Sequence, residues 1–183
     1  MITLLKQSSY KTMPWKNGKG QTAQIAIGPE GASFPDDFFW RISSAQVNGD
    51  DPFSKFPGCD RKLVITQGTG LTLNGKDLHQ LEVLEFSGEE VIHAKLIEGP
   101  VVDLGIIYQR DRIQAEMKVL NLHEISTLNF EGGRHFIFCL RGRLEVHGHL
   151  VHAGDCIMIQ NLSTLELAGL NHSSYVLISV SEK

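Results

Sequence analysis

Two arginines are the first candidates for chemistry in this chain. Arg41 in "FFWRISSAQV" and Arg61 in "DRKLVITQG" each lie within a run of apolar and small residues. Strand alternation puts Arg41, Ser43 and Ala45 on one face, and Arg61, Leu63 and Ile65 on one face of another strand. An arginine directed into an apolar interior is costly unless it is paired or holds an anion. Its planar fork suits a carboxylate, to which it can donate two parallel hydrogen bonds. Two uses stand open for Arg61: the wall of a carboxylate site, or an internal ion pair with Asp60, Asp103 or another acid. Arg41 beside Ser43 fits a binding wall and a polar outer face equally well. Phe53 and Phe56, in "PFSKFPG", could close a pocket mouth or fill a core.

A second dense stretch is "MPWKNGKGQTAQIA", residues 13–26. Its glycines precede a strand-like run, whereas phosphate-cradling glycines normally open a helix. It reads as a glycine-bearing turn that delivers Trp15, Asn17 and Thr22 toward the rim of a pocket.

The elements that must position these groups are strands. Short apolar or alternating runs such as "TAQIAIG", "RKLVITQG", "VVDLGIIY", "HFIFCLRG" and "SYVLISV" recur between Gly, Asp and Asn turn signals. No stretch offers an amphipathic helix longer than two or three turns. Antiparallel all-β architecture follows. A weak internal repeat adds detail: "QGTGLTLNGKDLHQLEVLEFSGEEV" from Gln67 matches "RGRLEVHGHLVHAGDCIMIQNLSTLEL" from Arg141. Leu71 and Leu73 align with Leu144 and Val146, Gly75 with Gly148, Leu78 with Leu150 and Phe86 with Met158, at an offset of 72 to 74 residues. Self-similarity at that period signals a duplicated supersecondary unit. The second copy resembles the glycine-bounded hairpin of a cupin barrel. That resemblance implies a double-stranded β-helix (jelly roll) bicupin, with one cupin-like barrel over residues 1–109 and another over 110–183.

Many cupins hold a metal with an HxH pair, a glutamate and a later histidine, so the eight histidines need placing. His147, His149 and His152 fall in the turn and outgoing strand of the hairpin. His135 lies seven residues before Gly142, where Arg61 stands seven before Gly68 in the first half, and neither half has an HxH upstream. No metal and no cofactor are expected.

Composition narrows the partners. The chain has 183 residues, 42% of them hydrophobic, and a formal net charge of −4 at pH 7. It has no lysine or arginine block to recommend nucleic acid or a membrane surface. The N-terminus lacks a signal-peptide h-region, and no apolar run reaches membrane-spanning length, so a soluble cytoplasmic protein is expected. Cys59, Cys139 and Cys156 form no CxxC pair and read as structural thiols.

"WKNGKGQTAQIA", "FFWRISSAQV", "PFSKFPGCDRKLVITQGTGLTL" and "GPVVDLGIIYQRD" follow in an order and spacing that resemble the HutD/Ves family of small bacterial bicupins. The family pattern runs approximately W-[KR]-N-G-G-G-x-T-x-E-I, W-R-[IA]-S, F-S-x-F-P-G-x-[DE]-R and D-F-N-x-M-x-R. The resemblance covers residues 10–112. It implies a double-cupin fold without the usual metal ligands, and no established catalytic reaction. It also implies a link to histidine utilisation or stress response, and a small-molecule carboxylate ligand of formylglutamate-like or related kind. The implied pocket draws on Trp15, Asn17, Thr22, Arg41, Ser43, Phe53, Phe56, Arg61 and Asp103. The alternatives are a metal-dependent cupin enzyme using His135, and an interaction protein with filled barrels acting through its surface or as a homodimer. Lys19 for glycine, Gln24 for glutamate, Gly105 for asparagine, and Gln109 before Arg110 depart from the pattern.

Overall fold

The computed structural model describes residues 1–183, apart from the side chain of Asn171. β1 (Ile2–Leu5) precedes a short 3-10 turn. β2 (Lys11–Pro14), β3 (Gly20–Gly28), β4 (Trp40–Val47), β5 (Asp51–Pro52) and β6 (Cys59–Gln67) follow. Next come β7 (Gly70–Leu73), β8 (Lys76–His79), β9 (Val83–Ser87), β10 (His93–Leu96) and β11 (Val101–Gln109). β12 (Ile113–Leu122), β13 (Ile125–Asn129), β14 (Arg134–Val146), β15 (His149–His152), β16 (Cys156–Gln160) and β17 (Thr164–Glu182) complete the chain. The fold is all-β, as the alternating runs require. Among the described residues no helix is long and apolar enough to cross a membrane.

Two compact units emerge: residues 11–113, and residues 1–10 together with 114–183. This differs from the expected cut at 109/110 chiefly at the N-terminus. β1 pairs antiparallel with β16, Ile2 opposite Ile159, which draws the first ten residues into the second unit. The Gln7 amide donates to Asp155 Oδ1 at 2.8 Å and the Tyr10 hydroxyl to the Gly154 carbonyl at 2.9 Å, fastening the segment there.

In the 11–113 unit a six-stranded sheet runs β2-β3-β4-β11-β6-β9, with a four-stranded sheet β5-β10-β7-β8. β11 sits between β4 and β6, and its sequence "VVDLGIIYQ" is buried along most of its length, as a strand covered on both faces must be. Leu63, Ile65, Val47 and Val101 of the larger sheet pack with Leu71, Leu73, Leu78 and Ala94 of the smaller one. In the other unit β1-β16-β14-β17-β12 form a sheet to which β13 and β15 also attach. Its core gathers Ile137, Leu144, Val151, Ile157, Ile159 and Leu167. All three sheets are open paths among the described residues. Cys59, Cys139 and Cys156 are unpaired and buried.

The duplication is visible in the hairpins, with a corrected register. The β7–β8 turn has Asn74 and Gly75 at φ 51° and 83°, and the β14–β15 turn has His147 and Gly148 at φ 48° and 79°. Two consecutive left-handed residues are the type I′ geometry that matches strand twist, hence glycine at each second position. Leu71 faces Leu78 across the first hairpin, while Leu144 faces Val151 across the second. Leu78 therefore corresponds to Val151 and not to Leu150, which is 42% exposed. Phe86 faces Arg61 and Ile159 faces His135, so the counterpart of Phe86 is Ile159 and not Met158. A slip of one residue exchanges inside for outside, and burial decides the register. Val151→Ala should cost about 1.5–3 kcal/mol of stability through lost burial and a cavity. Leu150→Ala should stay within about 0.5 kcal/mol. Urea-unfolding midpoints of the two variants check the difference.

Candidate functional site

Strand register assembles the site on one face of the six-stranded sheet. On β11, Asp103, Gly105 and Ile107 lie opposite Ala45, Ser43 and Arg41 of β4. On the other side Gly105 and Ile107 lie opposite Leu63 and Arg61 of β6. Directly opposed residues share a face, so Arg41, Ser43, Arg61 and Asp103 point the same way. Thr22 joins them from β3, opposite Ala45. Arg41 and Arg61 flank Ile107 in one row, with backbones about 10 Å apart, two strand spacings. The nine residues expected from the sequence (Trp15, Asn17, Thr22, Arg41, Ser43, Phe53, Phe56, Arg61 and Asp103) all line one cavity of about 490 Å³. Phe34, Lys16, Asp51 and Ser54 line it too, and sequence reasoning had not singled them out.

The two arginines are held differently. Arg41 is 5% exposed, and its Nε donates to Gln24 Oε1 at 3.0 Å. Its guanidinium carbon lies 4.1 Å from the Phe34 ring centroid, a cation–π contact. Its Nη2 is buried with no hydrogen-bond partner. Burial pulls Arg41 down to about 10, so it is still a cation at neutral pH. Arg61 is half-buried; its Nη1 donates to the Ser54 carbonyl at 3.2 Å. Its guanidinium carbon lies 5.0, 5.1 and 5.5 Å from the rings of Phe86, Phe53 and Phe56. Desolvation lowers Arg61, and the Asp103 charge pulls it back up. Arg61 lines the cavity and feels the Asp103 charge, with no direct salt bridge to Asp60 or Asp103 among the described residues.

Asp103 is only 7% exposed. Its Oδ1 accepts the Ala45 N–H at 3.1 Å, and its main-chain carbonyl accepts the Ser44 hydroxyl at 2.7 Å. A register shift between Val102 and Asp103 accompanies this irregular pairing. Burial pushes the Asp103 carboxyl up to about 7, against the Ala45 N–H and the Arg61 charge, which both act downward.

The rim is built from the glycine-bearing turn. Trp15 Nε1 donates to Thr22 Oγ1 at 2.8 Å. A Cβ on Gly20 would lie 2.9 Å from the indole, so only glycine allows this approach. Asn17 Nδ2 donates to Asp51, and Asn17 Oδ1 accepts the Lys19 amide at 3.0 Å. Lys19 Nζ donates to the Asp50 carbonyl at 2.8 Å and sits 3.8 Å from Asp51. Lys19 thus ties the turn to the segment at 50–51. Gln24 gives Arg41 a neutral partner where the resembled pattern has an acid. A Cβ on Gly105 would meet Leu63 and the Lys62 carbonyl at 3.3 Å, so glycine here leaves space open at the cavity floor. Gln109 and Arg110 serve elsewhere, on the Phe38 carbonyl and on Asp60.

His135 has a different fate. Its Nε2 lies 2.6 Å from the Gly132 carbonyl and must donate; its Nδ1 lies 2.9 Å from Ser179 Oγ and accepts. The ring stacks on Phe130 at 4.2 Å, and desolvation lowers its pKa. Both nitrogens are engaged. His147 and His152 are exposed. Among the described residues no three His, Cys, Asp or Glu side chains are grouped to hold a metal ion.

The model of the HutD family matches residues 7–177. The chain belongs to the HutD family. Protein Ves of Citrobacter koseri is 32% identical over 150 residues, 78% of this chain and 75% of that protein. An uncharacterized 21.2 kDa protein in the hutC 3′ region of Pseudomonas putida is 33% identical over 122 residues, 64% of this chain and 63% of that one. The solved HutD of Pseudomonas fluorescens SBW25 superposes with a TM-score of 0.87 at 25% identity, over all of both chains. A cupin 2 conserved barrel domain protein from Leptotrichia buccalis, 12% identical, superposes at 0.59 over 93% of this chain and 96% of that one, a likeness of fold.

The Asp103 shift has a signed consequence. The carboxyl titrates near 3.8 in the unfolded chain and near 7 in the folded one, so the folded state holds the extra proton between those values. Its contribution to stability is full below the lower value and is lost as pH rises through the upper one. Asp103→Asn keeps an oxygen for the Ala45 N–H and removes the titration. The stability of the variant relative to wild type should therefore rise between pH 4 and pH 8, measured by urea unfolding across that range.

Proposed function

We propose that this chain binds a small carboxylate in the cavity of its 11–113 unit, as a cytoplasmic binding or regulatory protein. The ligand class is a formylglutamate-like or related amino-acid catabolite. The observation that carries the reading is a pair of guanidinium groups, Arg41 and Arg61, in the wall of one cavity, neither with a salt-bridge partner among the described residues. A carboxylate entering the cavity would supply the counter-charge that both lack, between Arg41 on one side of Ile107 and Arg61 on the other. Ser43 and the Trp15–Thr22 pair offer neutral hydrogen-bonding groups around the charge, and Phe34, Phe53 and Phe56 offer apolar wall. This mix of mostly apolar lining with a few fixed polar groups suits a small organic ligand.

The wider context supports the same reading. A relative lies in a hutC 3′ region, which supports a link to histidine utilisation. We read each unit as a cupin-type jelly roll, on the likeness to cupin structures and the matching hairpins. A metal-dependent reading would need His135, whose two nitrogens are already engaged. A barrel filled by its own side chains would not leave about 490 Å³ beside a cationic group.

Titration calorimetry with N-formylglutamate, urocanate and glutamate tests the proposal. At least one acid should bind wild type, and Arg41→Ala should weaken it about 10- to 100-fold, the worth of a hydrogen bond to a charged group. Arg41→Lys should recover only part of that, since a point charge does not replace the fork. No heat from any of the three acids would sink the reading.

A further inference from the structure

Asp103 shares the cavity wall with the arginines, and the charged groups around it are unevenly distributed. Arg41 faces the cavity from β4 and Arg61 with Lys62 from β6. Lys16 enters from the β2–β3 turn and Asp51 from β5. Lys62 is paired with Glu85 of β9, and Asp51 is taken up by Asn17 and Lys19. That leaves Asp103 as the less engaged acid, within the field of the half-buried Arg61 guanidinium. An incoming ammonium would meet two arginine cations, with Asp103 already in the field of Arg61 and Asp51 already engaged by Asn17 and Lys19. An incoming carboxylate would meet two guanidinium groups that have no salt-bridge partner among the described residues.

A carboxylate held by Arg61 brings a second acid into the same poorly solvated wall as Asp103, whose charge Arg61 already feels. Two carboxyl groups in that relation do not both stay ionised. The one that gains the proton becomes a donor to the other. On Asp103 the Ala45 N–H already occupies Oδ1 as an acceptor, so Oδ2 is the oxygen available to carry a proton. Protonation also frees the Arg61 charge for the ligand.

We propose that Asp103 is the specificity-determining group of this cavity: it enters the complex protonated at Oδ2, donates to an acid that carries no free ammonium group, and takes up one proton from solvent with each binding event. This rests on the carboxylate-binding reading above. Burial already pushes Asp103 up to about 7, and an anion beside it pushes in the same direction.

The test compares N-formylglutamate, glutarate and glutamate, which share two carboxylates and differ at the amine. Calorimetry at pH 8 in buffers of different ionisation enthalpy measures the proton count. For an acid without an ammonium group the uptake should approach one proton, and the Kd should weaken about tenfold per pH unit above pH 8. Glutamate should bind at least about tenfold more weakly, the equivalent of about 1.4 kcal/mol. In Asp103→Asn the uptake should vanish and the Kd should become independent of pH. If that variant does not fold, the wild-type buffer series and pH profile decide alone. Binding without proton uptake, uptake that persists in Asp103→Asn, or tighter binding of glutamate would overturn this proposal while leaving carboxylate binding intact. If none of the three binds, the carboxylate reading falls and this one falls with it.

Discussion

A guanidinium buried with one hydrogen-bond donor unanswered is the constraint around which the 11–113 unit is organised. Arg41 is held by two contacts: Gln24 accepts from Nε, and the Phe34 ring covers its face. What remains, Nη2, is a cost the fold carries. That cost must be offset by ordinary burial elsewhere, and β11 supplies much of it. Leu104 and Ile106 are fully buried on the strand that holds β4 and β6 together. The same strand sets the row in which Arg41 and Arg61 stand, so stability and site geometry depend on one element.

The duplicated architecture gives an internal control on this argument. Arg61 and His135 occupy equivalent positions, opposite Phe86 and Ile159. His135 is satisfied at both ring nitrogens and stacked on Phe130, with nothing left to offer a ligand. Among the described residues Arg61 has the Ser54 carbonyl as its direct acceptor, beside aromatic faces and the Asp103 field. One scaffold thus carries a closed polar pair in one copy and an open cationic cavity in the other. The repeat predicts where a polar residue points; its neighbours decide whether that residue is structural.

Much of this was legible before any coordinates. Alternation gave the strands, and the order of the family motifs named nine residues that one cavity unites. What alternation could not do was choose a face for "FWRIS" or "RKLVI", because both faces of a central strand are apolar. Cross-strand register makes that choice. Phe34 escaped notice because it sits in the irregular segment between β3 and β4, where no period marks a residue. The unanswered donor of Arg41 was also invisible, since it depends on the side-chain contacts of Gln24 and Phe34. The repeat drew attention to Arg61 instead. It also misplaced Leu150 and Met158 by one position, an error that only burial exposes.

The departures from the family pattern acquire separate physical meanings. Lys19 acts outside the cavity, clamping the rim turn to Asp50 and Asp51, so it replaces glycine without touching the chemistry. Gln24 is different, because it faces Arg41 directly. An acid there would have satisfied the guanidinium with an internal counter-charge; the amide accepts one hydrogen bond and leaves the full cation. Gly105 lies between Ser43 and Leu63 on the cavity floor, where an asparagine would fill space and add its own donors and acceptors. The two changes act in one direction, toward a roomier and more positive cavity. Under that combination Asp103 is the carboxyl that remains on the same face as the two arginines, and it sets the balance of charge there.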